Sequence, residues 1–60
     1  MTFESYLVKC RTEAERQWCY ADLPEDHIER TRQAFELNQS AEEFITWLGE
    51  KYDLIPKNSW

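Results

Sequence analysis

Few side chains in this sixty-residue chain have types that do chemistry unaided, and their spacing limits each of them. The one histidine, His27, lies between Asp26 and Ile28. As a general base it would need a pocket and an oriented nucleophile beside it, and the first helical turn it is expected to occupy sets the positive end of a helix dipole against its protonation. Ser5, Ser40 and Ser59 lack the glycines of a nucleophile elbow, and the single glycine, Gly49, leaves no material for a phosphate cradle. A calcium loop needs alternating oxygen ligands around a glycine, and no stretch supplies them. Cys10, Cys19 and His27 make three nominal zinc ligands without a paired-cysteine spacing or a second histidine. Carboxylate pairs are too abundant here to single out any as an acid–base couple. The expectation is no enzyme, no metal and no cofactor.

The two cysteines speak to compartment. On one helix their separation would turn them to nearly opposite faces, about 13 Å apart along the axis, whereas a disulfide needs alpha carbons within about 7 Å. They read as reduced thiols, Cys10 in a core stripe and Cys19 nearer the outside. With no apolar run near the roughly 20 residues of a membrane helix and no secretory leader pattern, a cytoplasmic location is expected.

Helix punctuation organises the rest. Asp22-Leu23-Pro24-Glu25 and Ser40-Ala41-Glu42-Glu43 both read as capping boxes, a helix-starting oxygen followed three residues on by a carboxylate able to reach back. Before them, residues 2–21 contain no glycine, proline or asparagine, and Phe3, Leu7, Cys10, Ala14 and Ala21 recur at helical steps with Tyr6 and Trp18 flanking. A break near Arg11–Thr12 is the rival, since Thr12 and Glu15 would make another box. The middle helix, 23–37, tolerates Pro24 in its first turn and offers a thin face of Ile28, Thr31 and Phe35. Asn38 suits the left-handed residue that ends it. The last helix, 41–52, has the cleanest stripe, Ala41, Phe44, Ile45, Leu48 and Tyr52, and 53–60 follow as an extended tail ending in Trp60.

The expected fold is therefore all-α: one domain over 1–60, a bundle of three helices (2–21, 23–37 and 41–52), or four if the first breaks. Nine aromatics give it core material despite 32% charged residues. A chain this short hides only about 60% of its unfolded surface, which makes a homodimer a serious expectation.

Acidity shapes the choice of partner. The net charge is −5, spread along the chain, and it opposes binding to nucleic-acid phosphates or anionic lipid. Glu25, Asp26, Glu42 and Glu43 suit the first turns of their helices. Their bland reading is a solvated face; the sharper one is imitation of DNA. Arg30, Arg32 and Gln33 on the middle helix support a helix-turn-helix alternative, offset by Glu25, Asp26, Glu29 and Glu36 beside them. A protein contact is the stronger expectation. Trp47 lies off the last helix's stripe between Glu43 and Lys51 at one-turn spacing, at the edge of the core, and is the expected partner anchor. Met1, Val8 and Cys19 make a second, weaker apolar line on the first helix.

Thr2-Phe3-Glu4-Ser5-Tyr6-Leu7-Val8-Lys9-Cys10-Arg11 resembles the opening of the bacterial YozE proteins, with an aromatic, a Tyr-Leu pair and a Lys-x-Arg ending. Asp22-Leu23-Pro24, Phe35-Glu36-Leu37 and the set Phe44, Trp47 and Tyr52 extend the likeness. The resemblance implies a compact helical domain of the SAM-like kind and no catalytic residues. In size and acidity the chain is also similar to accessory proteins of phages and plasmids. Together these give an expected function: a small acidic protein-interaction module or regulator, with a SAM-like or helix-turn-helix nucleic-acid binder as the alternative.

Overall fold

The computed structural model describes residues 2–55. Over them the chain forms α1 (Phe3–Trp18), α2 (Leu23–Asp26), α3 (Ile28–Glu36) and α4 (Ala41–Lys51), with no strand among the described residues. The all-α fold is as expected. Met1, assigned to the weak apolar line, and residues 56–60 of the expected tail, with Trp60, lie outside the described residues.

Thr2 starts α1: its hydroxyl accepts from the Ser5 amide at 3.2 Å on an extended backbone. The helix runs unbroken through Arg11 and Thr12, where the Thr12 hydroxyl donates back to the Val8 carbonyl at 3.0 Å instead of capping a new helix. It stops at Trp18, short of the expected end at residue 21, because Cys19 turns left-handed at φ 54°. The buried line is Tyr6, Cys10, Ala14 and Trp18, a ridge of residues four apart. Phe3 and Leu7, expected at its centre, are half-buried margins.

The expected middle helix is two helices, broken at His27 (φ −127°, ψ 49°). Asp22 does not cap it. Its backbone is already right-handed helical (φ −83°, ψ −1°) and its side chain makes no capping bond, whereas a cap oxygen reaches the first-turn amides from an extended backbone. The break is sealed by Thr31, fully buried, whose hydroxyl lies 2.8 Å from the Pro24 carbonyl and 3.1 Å from that of His27. Breaking rephases the faces. Leu23, Pro24, Thr31 and Ala34 become buried, Phe35 is half-buried, and Ile28, expected in the core, is 39% exposed.

Ser40 caps α4 as its box implied, accepting from the Glu43 amide at 3.2 Å. Phe44, Ile45, Leu48 and Gly49 are buried on it, while Tyr52 falls beyond its end and is exposed. Both α3 and α4 close with Schellman geometry. After α3, left-handed Asn38 (φ 58°) bonds back to Phe35, and Gln39 to Ala34; after α4, Asp53 (φ 55°) bonds to Glu50, and Leu54 to Gly49. Leu54 then packs against the core.

The principal contact is α1 on α4, and one residue pair sets its closeness. Trp18 lies across Gly49, where an added Cβ would come within 2.0 Å of Cε2 of the ring. The indole nitrogen donates to the Ile45 carbonyl at 3.0 Å, which pins the ring in place. Gly49 is thus the small residue that lets a tryptophan fit between two helices.

Candidate functional site

Phe44, Ile45 and Leu48 turn one face of α4 into the core, and Trp47 is left at the boundary with 44% of its surface exposed. Its ring stacks near Phe44, with centroids 6.2 Å apart and planes 27° apart. Lys51, one turn on, places its ammonium 5.6 Å from the Trp47 centroid, and Arg30 reaches over from α3 to put its guanidinium carbon at 5.8 Å. Glu43 is exposed one turn before. A recess of about 210 Å³ opens beside the ring, walled by Arg30, Ala34, Leu37 and Phe44. Leu37 stands at 77% exposure. Sequence spacing gives the edge position of Trp47 and its Lys51 neighbour. Arg30 and Leu37 belong to another helix and its end, and only the packing of α3 and α4 against α1 brings them here.

The charges divide unevenly. Arg11 pairs with Glu25 at 2.6 Å and lies 3.8 Å from Asp22; Arg16 pairs with Glu13 at 2.5 Å and Glu42 at 4.0 Å. The Arg16 hydrogen bond holds the Glu13 carboxyl below the usual carboxylate range. Arg30, Arg32 and Lys51 take part in no ion pair among the described residues. They lie over rings instead, Arg32 at 4.5 Å from the Phe3 centroid, where a ring quadrupole attracts a cation but leaves its net charge uncompensated.

No family model, curated protein or solved structure matches this chain. The site therefore rests on its own geometry.

The other expected site residues are placed apart from one another. Val8 is 62% exposed and Cys19 partly buried. Cys19 lies eleven positions after Val8, about 16 Å along a helix, with exposed Thr12 and Glu15 on the same side between them. They form no continuous apolar patch. Both cysteines are free thiols. Burial pushes the Cys10 thiol up to about 11, and burial beside Cys10 likewise raises the Tyr6 phenol. A thiol this hard to ionise is a core side chain and a poor nucleophile.

His27 stacks on Tyr52, centroids 4.4 Å apart, and no three His, Cys, Asp or Glu side chains gather as a metal-holding group among the described residues. A second recess, about 470 Å³, lies between α1 and the α3–α4 turn, lined by Tyr6, Lys9, Phe35, Asn38, Gln39, Ser40 and Ala41. The Ser40 hydroxyl is committed to its cap and the buried Tyr6 hydroxyl has no hydrogen-bond partner among the described residues.

Proposed function

We propose that this chain is a small protein-interaction module that docks a partner on the Trp47 face. The observation that carries this reading is a large aromatic left 44% exposed while the apolar side chains around it on α4 are buried. A half-exposed tryptophan beside a recess, flanked by charge, is the type of residue that dominates binding energy in protein interfaces. The free thiols of Cys10 and Cys19 fit a reducing, cytoplasmic setting, and the resemblance of residues 2–11 to the YozE proteins fits a helical domain without catalytic residues.

Arg30 and Arg32 on α3, without an ion pair among the described residues, favour a second reading as a nucleic-acid contact. Glu29 and Glu36 on the same helix and a net charge of −5 weigh against it. The test is Trp47→Ala with three readouts. Helical circular dichroism should be largely unchanged, capture of the partner from the native host should be lost, and no salt-dependent mobility shift should occur with DNA or RNA. Unchanged capture, together with a stability loss of several kcal/mol as for a core truncation, would make Trp47 a core residue.

A further inference from the structure

We infer that the Trp47 face takes an acidic peptide segment carrying one apolar side chain with carboxylates to one side of it. This inference rests on the reading of that face as the docking surface. The recess beside the ring, about 210 Å³, is smaller than the roughly 300–1,000 Å³ of small-molecule clefts. With Ala34, Leu37 and Phe44 as its apolar walls and Gln33 and Gln39 as polar ones, it suits a single inserted side chain.

Charge complementarity sets the partner's sign. The chain has twelve acidic residues against seven lysines and arginines, and yet the two cations nearest the Trp47 ring have no carboxylate among the described residues. Arg11 and Arg16, on α1, do have them, while Lys9 on the same helix does not. Two cations without an ion-pair partner among the described residues thus stand at Trp47 on a protein that is negative overall, and a carboxylate arriving at Arg30 or Lys51 gains a charge-assisted bond without displacing an internal one. Glu43, one turn before Trp47, and Lys51, one turn after, give the face a direction. The partner's acidic side lies toward Lys51, and its side toward Glu43 is neutral or basic.

A second copy of the chain is the main competing occupant, because a two-fold axis at Trp47 would set Lys51 beside Glu43 of that copy, and the experiment below separates it from a peptide. A nucleic-acid strand would meet Glu43 and the acidic excess, and its phosphates have nothing to put in the recess.

The experiment is a selection of randomised peptides displayed on phage against the immobilised full chain, with counter-selection on Trp47→Ala. The expected winners carry Asp or Glu next to an aliphatic or aromatic residue. Replacing their acids by Asn or Gln, or making the Arg30→Gln/Lys51→Gln variant, should weaken binding about five- to tenfold at low salt, a gap that narrows as salt screens the rim charges. Winners that are neutral or basic but still need Trp47 would overturn this inference and leave the docking face standing. Absence of any Trp47-dependent peptide would overturn both. Self-association abolished by Trp47→Ala, or an oligonucleotide bound through Arg30 and Lys51, would also overturn the acidic-peptide assignment.

Discussion

Replacing Gly49 by alanine sets two physical effects against each other, and the structure decides the sign. In the interior of a helix such as α4, alanine is favoured over glycine by about 0.8–1.0 kcal/mol, so the local expectation is a stabilised protein. The new Cβ, however, would lie 2.0 Å from Cε2 and 2.2 Å from Cζ2 of Trp18. That ring is 8% exposed and pinned by its bond to the Ile45 carbonyl, so it has no free direction in which to swing. Overpacking of this kind costs about 1–3 kcal/mol, and loss of the indole hydrogen bond adds about 0.5–1.5 kcal/mol. After subtracting the propensity gain, Gly49→Ala should destabilise by about 0.5–3.5 kcal/mol. At about 4–8 °C per kcal/mol for a domain of this size, the melting temperature should fall measurably. Thermal unfolding followed by far-ultraviolet circular dichroism reads it directly. A Trp18→Phe background, with a smaller ring, should relieve part of the penalty, and the two changes should be coupled by at least about 0.5 kcal/mol, as expected for touching residues. A rise in melting temperature on Gly49→Ala, or strict additivity with Trp18→Phe, would refute the packing that joins α1 to α4.

Thr31→Val should destabilise by about 1–3 kcal/mol in chemical denaturation, because the buried Pro24 carbonyl loses the hydroxyl that satisfies it; Thr31→Ser should recover most of that loss. Leu48→Ala, at a fully buried position, should cost about 2–5 kcal/mol, and an unchanged melting temperature would place α4 outside the core. Cys10 gives a pH prediction. Its thiol is raised from 9.0 to about 11 in the fold, so the stabilisation from keeping it neutral is complete below pH 9 and is lost as pH rises toward 11. That amounts to about 2–3 kcal/mol, with Tyr6 ionisation adding in the same direction from about pH 10. Urea unfolding across pH 8–11 should show this decline, and Cys10→Ser should flatten its first part.

Local rules placed the helices where a short side chain could act alone. Ser40 caps α4 and Asn38 takes the left-handed turn, because a cap oxygen or a tolerated positive φ depends on residues only a few positions away. The strong stripe of α4 was legible for the same reason: Phe44, Ile45 and Leu48 face one way whatever they pack against. So was the edge position of Trp47, which follows from helical spacing.

What the sequence left open depended on contacts between distant residues. An Asp22 box and a continuous middle helix are locally reasonable, but the buried Thr31 hydroxyl satisfies the Pro24 carbonyl and permits a break at His27 that periodicity does not signal. Trp18, expected only at the flank of the α1 stripe, is buried on it because a glycine thirty-one residues away makes room for the indole. Arg30 and Leu37 joined the Trp47 face for a like reason. Composition states that the chain is acidic, but that Arg30 and Lys51 both reach the Trp47 ring is a property of how α3 and α4 are held against α1, since recesses are made by elements that meet only in the fold.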